Sequence, residues 1–356
     1  MSSAEATDGS FLLYGATGYS GSLLARASVA RGMRPVLAGR NGAALEKLAG
    51  QLDLTFRVAA LDDTRALDRA LQGIGVVLHA AGPYSSTAAP MLEACMRAGA
   101  HYLDLTGEIG VVEQLAARGA QARSRGIMVM PGVGLDVVAG DCLALHTASR
   151  IKRPVRMKMG VHGLRLVSRG TAKTIVEAAG DGKARRGGRI TAMPLGSVER
   201  SFDFGWGPTA CLNVSWADVA TAWYTTGIPD IEVYCEAIVP LRLLAMSNRT
   251  MGAMLSTPPM QAWIKAHVDL LPPGPDEDAR RRGAAIFVVE VEDAAGDRAV
   301  SRLRTAEAYS FTAMVAPAIA ARAVSGDVEA GFQTPARVYG ADLPLAFDGV
   351  VREDLQ

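Results

Sequence analysis

The chain has 356 residues; 37 Lys and Arg against 36 Asp and Glu leave a formal charge of 37 − 36 = +1. That balance argues against a nucleic-acid binder or a polybasic membrane module, both of which need clustered positive charge. A hydrophobic share of 49% with 21% charged residues describes a folding chain, and the length fits two domains.

Residues 1–10 are small and polar, without the basic and apolar regions of a secretory leader. From 10 to 150, short apolar runs alternate with helical stretches. SFLLYGA (10–16), PVLAGR (35–40), FRVAALD (56–62), GVVLHAAG (75–82), HYLDLTG (101–107) and GIMVMPG (126–132) read as strands, with helices between them that mostly exit at glycines. The pattern predicts βαβ units on a Rossmann-type, doubly wound parallel sheet over 1–148. From 149 to 304, strand-like runs at 155–162, 197–204, 231–238, 285–293 and 298–304 predict an α+β domain on a largely antiparallel sheet. Ala295-Gly296 reads as a hairpin turn, and helices are expected near 170–180 and, with breaks, over 240–268. LPPGPDEDARRRG (271–283) reads as a solvated loop. A helix near 306–325 and an irregular tail complete the segment 305–356.

Gly15-Ala16-Thr17-Gly18-Tyr19-Ser20-Gly21 falls between the first strand and the first helix. Glycines there allow a tight turn and close backbone approach, and the helix start points N–H groups at a pyrophosphate. A dinucleotide site is therefore expected. A strand-two end of Asp or Glu would select NAD; here it ends Ala38-Gly39-Arg40-Asn41, with no acid before Glu46. A guanidinium can fork onto a 2′-phosphate that a carboxylate would repel. NADP(H) is expected, with Arg40, Asn41 and either Ser20 or Tyr19 at that phosphate. Asp62 has two readings, an adenine contact or the cap of the next helix.

Ligands in such sheets lie beyond the carboxyl ends of the strands. Strand four delivers Ala80-Ala81-Gly82-Pro83, small enough for ribose and nicotinamide, and then Tyr84. Tyr84 is the first acid candidate and a substrate contact, or else a packing aromatic. Strand five delivers Asp104, Thr106 and Glu108, and strand six leads to Asp136. Thr106 and Glu108 are substrate candidates, Asp136 an orienting or proton-relaying one. Asp141 reads as a helix cap and His79 as a satisfied core histidine. Ser168 to Thr174 opens a helix whose Arg169 could bind substrate and whose Lys173 could supply a proton; a solvated helix start is the other reading. No HExxH pair, GxSxG elbow, Walker loop, or tyrosine with lysine four positions on is present, and no metal is expected. Four scattered cysteines (Cys95, Cys142, Cys211, Cys235) suggest neither disulfides nor zinc, so a reducing cytoplasm is expected. No run of about 18 apolar residues suggests stable membrane insertion.

YGATGYSG (14–21), VLAGRN (36–41), HAAGPYS (79–85), HYLDLTGE (101–108), VGLDVVAGD (133–141), SRGTA (168–172), DFGWGP (203–208), TGIPDIEVY (226–234) and GFQTPARVYGAD (331–342) appear together in this order. The chain thereby resembles the saccharopine dehydrogenase-like oxidoreductases, in particular the trans-acting enoyl reductase branch. The resemblance implies an NADP-binding Rossmann domain, an α+β domain over the cofactor cleft and a C-terminal helix returning to the first domain. It aligns Tyr84 and Asp136 with active-cleft positions. Val138-Ala139-Gly140-Asp141 departs from it, because many relatives carry proline before the aspartate.

The function expected is an NADPH-dependent reduction of an activated C=C in an enoyl thioester or polyketide-type group, free or carrier-bound. Imine reduction is the alternative, with Arg165, Arg169, Arg185, Arg186 and Arg189 as arginines for a dicarboxylic substrate. An NADP(H)-sensing protein is a third reading. The second domain could also pair two copies of the chain.

Overall fold

The computed structural model describes residues 11–164, 167–178, 182–239, 241–243, 245–246, 257–268 and 270–356. Strand and helix alternate from the start: β1 Leu12–Tyr14, α1 Tyr19–Ala30, β2 Val36–Gly39, α2 Gly42–Leu52, β3 Phe56–Val58, α3 Thr64–Ala70, β4 Val76–His79, α4 Tyr84–Ala98 and β5 His101–Asp104. Helices α5 Ile109–Ala117 and α6 Gly119–Ser124 lead to β6 Met128–Met130. Strands β1, β2 and β4 are buried throughout, which is why they read as unbroken apolar runs.

The chain continues through α7 Leu135–Ser149, β7 Pro154–His162, α8 Arg169–Ala178, β8 Lys183–Arg186, β9 Arg189–Ala192, β10 Glu199–Asp203 and β11 Pro208–Val214. Then come α9 Asp218–Thr226, β12 Asp230–Glu236, α10 Pro258–Val268, α11 Glu277–Arg282, β13 Ala284–Asp293 and β14 Arg298–Ala306. Helix α12 Ala308–Val324, β15 Gly331–Phe332, α13 Pro335–Tyr339 and β16 Val351–Asp354 finish the chain.

Among the described residues the first sheet has seven parallel strands in the order β15-β6-β5-β4-β1-β2-β3. Strand order reverses between β1 and β4, the doubly wound arrangement that the alternation predicts. The second sheet has nine strands, β10-β11-β12-β7-β13-β14-β16 with β8 and β9 attached at β12. It is antiparallel except where β12 meets β7. Gly160 on β7 leaves room for Phe202, whose ring lies 2.5 Å from where a Gly160 β-carbon would be. Around it Phe202, Phe204, Tyr234, Ile286 and Val288 form a small core.

Two compact units divide the chain differently from the boundaries expected at 148 and 304. The first takes the chain up to Thr106, Glu113–Gly134 and Thr312–Gln333; the second takes Gly107–Val112, Leu135–Phe311 and Thr334–Gln356. Helix α7 goes with the second unit because it packs on α9, β13 and β14. The tail from 334 also goes there: β16 pairs with β14, and Ala336 N donates to Asp141 at 3.0 Å. The expected return of the whole 305–356 segment to the first domain is corrected accordingly. The 271–283 loop is corrected too, since Asp276 caps the short helix α11 within it.

Candidate nucleotide site and acid cluster

Strand β1 ends at Tyr14, and Gly15 turns the chain at φ +81°, where an L side chain is strained. A β-carbon on Gly15 would lie 2.8 Å from Ala81 Cβ and 2.9 Å from Ala80 O; one on Gly21 would lie 2.1 Å from Gly15 O. Gly15 N donates to Ala38 O at 2.8 Å and Gly18 N to Gly15 O at 3.0 Å. Helix α1 begins after an extended Gly18 with no side-chain cap and no acid in its first turn. Its amino end, flanked by exposed Thr17 and by Tyr19 and Ser20, offers backbone donors and positive potential to an anion. These residues fit a dinucleotide pyrophosphate.

Arg40 stands exposed one residue beyond β2 with no hydrogen-bond or ion-pair partner among the described residues. Asn41 spends its Oδ1 on Ala44 N at 3.1 Å, capping α2, which leaves its amide donors. Asp63, not Asp62, caps α3, accepting from Ala66 N at 2.9 Å; Asp62 is exposed beside it. That corrects the capping alternative for Asp62. Tyr14 Oη donates to Ala59 O at 3.0 Å; burial pushes this phenol up, Arg40 pulls it down and Asp62 pushes it up again.

Beyond β4, Ala80, Ala81 and Pro83 are half-buried and Gly82 is exposed, with a cis Gly82–Pro83 peptide. Thr87 Oγ1 holds this turn at 2.7 Å from Ala81 O and 3.0 Å from Pro83 O. Tyr84 is buried; its Oη donates to His79 O at 3.3 Å and its ring meets His79 edge-on at 5.4 Å. That placement supports the packing alternative for Tyr84 over the acid. His79 sits among the rings of Tyr14, Tyr84 and Tyr102, and burial lowers it to about 3, so it is neutral. The Thr87 backbone faces the ring, and His79 is buried in the core as expected.

Asp104 is fully buried and accepts from Tyr102 Oη at 2.6 Å and from Thr106 N and Gly132 N at 2.9 Å each. It ties the end of β5 to the loop after β6. Thr106 is buried beside it, and Glu108 is half-buried, its carbonyl accepting from Val111 N and Val112 N.

In the second unit, Asp136 occupies the first turn of α7, with Oδ2 3.2 Å from the β-carbon position of Gly107. It keeps partial exposure, yet burial pushes its carboxyl up to about 6. Trp216 Nε1 donates to its carbonyl at 2.8 Å. Tyr309, which the sequence did not single out, lies at the start of α12; Glu307 Oε2 accepts from its N–H at 2.9 Å. Its phenol oxygen accepts from Ser168 N at 2.6 Å and lies 3.1 Å from Thr171 Oγ1. Burial raises this phenol, the Ser168 and Thr171 bonds lower it, and the charge of Asp136 raises it. The unit thus brings Asp136, Tyr309, Ser168 and Thr171 together. The hint in the sequence was a tyrosine two residues after an acid at a strand-to-helix switch.

Arg169 and Lys173 stand one turn apart on α8. Arg169 N donates to Pro273 O at 3.1 Å and its guanidinium to Leu271 O. Arg165 lies outside the described residues. Arg185 is buried against Val219 O and Gly188 O, and Arg186 pairs with Glu232. Asp141 is not a cap: it sits within α7, accepting from Thr225 Oγ1 at 2.5 Å and Ala336 N at 3.0 Å, and burial raises it to about 6. Among the described residues, no cluster of three His, Cys, Asp or Glu could hold a metal, and no helix is long and apolar enough to cross a membrane.

A family model described as the saccharopine dehydrogenase NADP-binding domain matches residues 11–130. The match covers β1 to β6, and with them the glycine loop and Arg40. A trans-acting enoyl reductase of Mycobacterium ulcerans (strain Agy99) is 31% identical over 158 residues, 42% of this chain and 38% of the relative. One from Mycobacterium leprae (strain TN) is 33% identical over 138 residues, 36% of this chain and 33% of the relative. The chain therefore spans little more than a third of the length of these curated relatives. Apo saccharopine dehydrogenase (L-Glu forming) from Saccharomyces cerevisiae superposes over 98% of this chain and 100% of its own, with a TM-score of 0.66 at 12% identity. The two share a fold.

Proposed function

We propose that the chain is an NADPH-dependent reductase acting on the activated C=C of an enoyl thioester or polyketide-type acyl group, free or on a carrier. The observation that carries this reading is the uncapped glycine loop together with an exposed Arg40, which has no hydrogen-bond or ion-pair partner among the described residues, where an acid would select NAD. The enoyl substrate is supported by the names of the mycobacterial relatives.

NADPH, when bound, supplies the hydride. Reduction places hydride on the β-carbon, leaves negative charge on the thioester oxygen and α-carbon, and needs one proton at that carbon. The chain's own residues serve that second half. Tyr309 is proposed as the proton donor: its oxygen already accepts the Ser168 N–H, so the phenolate left behind keeps a donor. Asp136, an acid poised near 6, is proposed to hydrogen-bond the developing charge while protonated. Lys173 is left as a substrate-side cation. The imine alternative needs free arginines, and Arg185 and Arg186 are committed to partners within the protein.

The test is NADPH oxidation followed at 340 nm with an enoyl-thioester panel and an imine panel. Turnover with the enoyl panel is expected. Tight NADPH binding with no oxidation by either panel would overturn the reductase reading in favour of a sensor.

A further inference from the structure

Asp218 opens α9 and is fully buried, with its own N–H and the Trp216 indole as the donors beside its carboxyl. A β-carbon on Gly140 would lie 2.3 Å from its Oδ1 and 2.9 Å from its Oδ2. The carboxyl therefore fills the slot a side chain at 140 would fill. Gly140 follows Asp136 by four residues, and positions so spaced share a helix face with β-carbons about 5–6 Å apart. Asp218 thus sits one turn along α7 from Asp136. Trp216, two residues before it, donates its indole N–H to Asp136 O at 2.8 Å. The start of α9 grips α7 at both points.

The titratable groups around this junction are acidic or weakly so. Asp141 and Cys142 face it from α7, Cys235 on β12 faces Asp136, and Tyr309 on α12 faces Asp136. Arg185 on β8 lies under α9 with donors on Val219 O and Gly188 O, and Arg337 faces Asp141. Among the described residues no ion pair forms at Asp218. A fully buried carboxylate with no cation beside it is disfavoured, whereas the neutral acid is tolerated. Burial, with Asp141 and Asp136 adding repulsion, pushes this acid well above the usual carboxylate range.

We propose that Asp218 is a positioning residue: as a neutral acid seated in the Gly140 slot it holds the Trp216–Asp136 junction, and its ionisation releases that junction. The proposal rests on the role given to Asp136 above. Asp218→Asn keeps the shape and neutrality but cannot ionise; Asp218→Ala empties the slot. The full chain is compared by thermal unfolding from pH 5 to 9 and by the pH profile of kcat for enoyl-thioester reduction. A raised folded-state acid contributes stability at low pH that is lost as pH rises. Wild type should therefore lose midpoint temperature with rising pH. Asp218→Asn should lose less and stand above wild type by pH 8, while Asp218→Ala lies below both at pH 6. In kcat, Asp218→Asn should stay within about threefold of wild type at pH 6–7 and carry its alkaline loss at least one pH unit higher. Parallel pH curves for wild type and Asp218→Asn, or an Asn variant as damaged as the Ala variant at pH 6, would overturn the proposal. Unfolding needs no turnover, so a chain that reduces nothing refutes the reductase reading while Asp218 is still tested; if the Ala variant does not fold, the Asn comparison decides.

Discussion

Gly21 is packed against Gly15 so closely that a methyl group on the one would stand 2.1 Å from the carbonyl oxygen of the other. The contact is to backbone, and that backbone is pinned to Ala38 O by Gly15 N. Gly21→Ala must therefore move the loop. It should cost about 1–3 kcal/mol of stability, as overpacking usually does, and weaken NADPH at least tenfold. Thermal unfolding with and without NADPH reads both effects; a variant with full ligand-induced stabilisation would show that the loop does not touch the nucleotide.

Two tyrosines are expected to part company. Tyr84→Phe removes the long bond to His79 O at 3.3 Å and should leave kcat within about threefold. Tyr309→Phe removes the proposed donor and should lower kcat by about 10²-fold or more with little change in NADPH affinity. Steady-state kinetics on both variants checks this. A large kcat loss in Tyr84→Phe with none in Tyr309→Phe would reverse the assignment.

Asp104 joins Tyr102, Thr106 and Gly132 through three bonds in a fully buried position. Asp104→Ala leaves those donors unpaired and should cost about 3 kcal/mol or more. Urea unfolding at pH 7 measures it. A near-neutral result would mean that the tie between β5 and the loop after β6 is dispensable.

Asp136 and Asp141 are both raised to about 6 by burial. An acid raised in the folded state binds its proton more tightly there than when unfolded. Its stabilising contribution is complete below about pH 4 and is lost as pH rises through about 6. Asp136→Asn should therefore flatten the fall in stability between pH 4 and 7 by roughly 1–3 kcal/mol relative to wild type. Denaturant titrations at pH 4, 5, 6 and 7 test it; identical slopes in the two proteins would contradict the raised acid.

The parts of the molecule governed by local rules were legible in its residues. The glycine loop, the strand–helix alternation and the hairpin turning at Ala295-Gly296 all depend on neighbours a few positions apart, and β13 pairs with β14 as that turn implies. The hairpin of β8 and β9 escaped because Lys183, Arg185, Arg186 and Arg189 hide its alternation, although Gly187 and Gly188 at positive φ make its turn. Strand β15 is two residues long and too short to carry a period. Capping by Asp63 instead of Asp62 turns on a single register step that two adjacent acids cannot announce. Tyr309 meets Ser168 across 141 residues, and no local spacing encodes such a pairing. Asp218 is the same kind of case: its slot exists only because Gly140 on another helix has no side chain.

The claim on which the rest depends is that Arg40 selects the 2′-phosphate, and calorimetric titration of wild type and Arg40→Ala with NADPH and NADH measures it directly. A guanidinium–phosphate bond contributes about 1.5–3 kcal/mol, so Arg40→Ala should weaken NADPH about 10- to 150-fold while NADH binding stays within about threefold. Equal losses for the two coenzymes, or wild-type protein that prefers NADH, would contradict it.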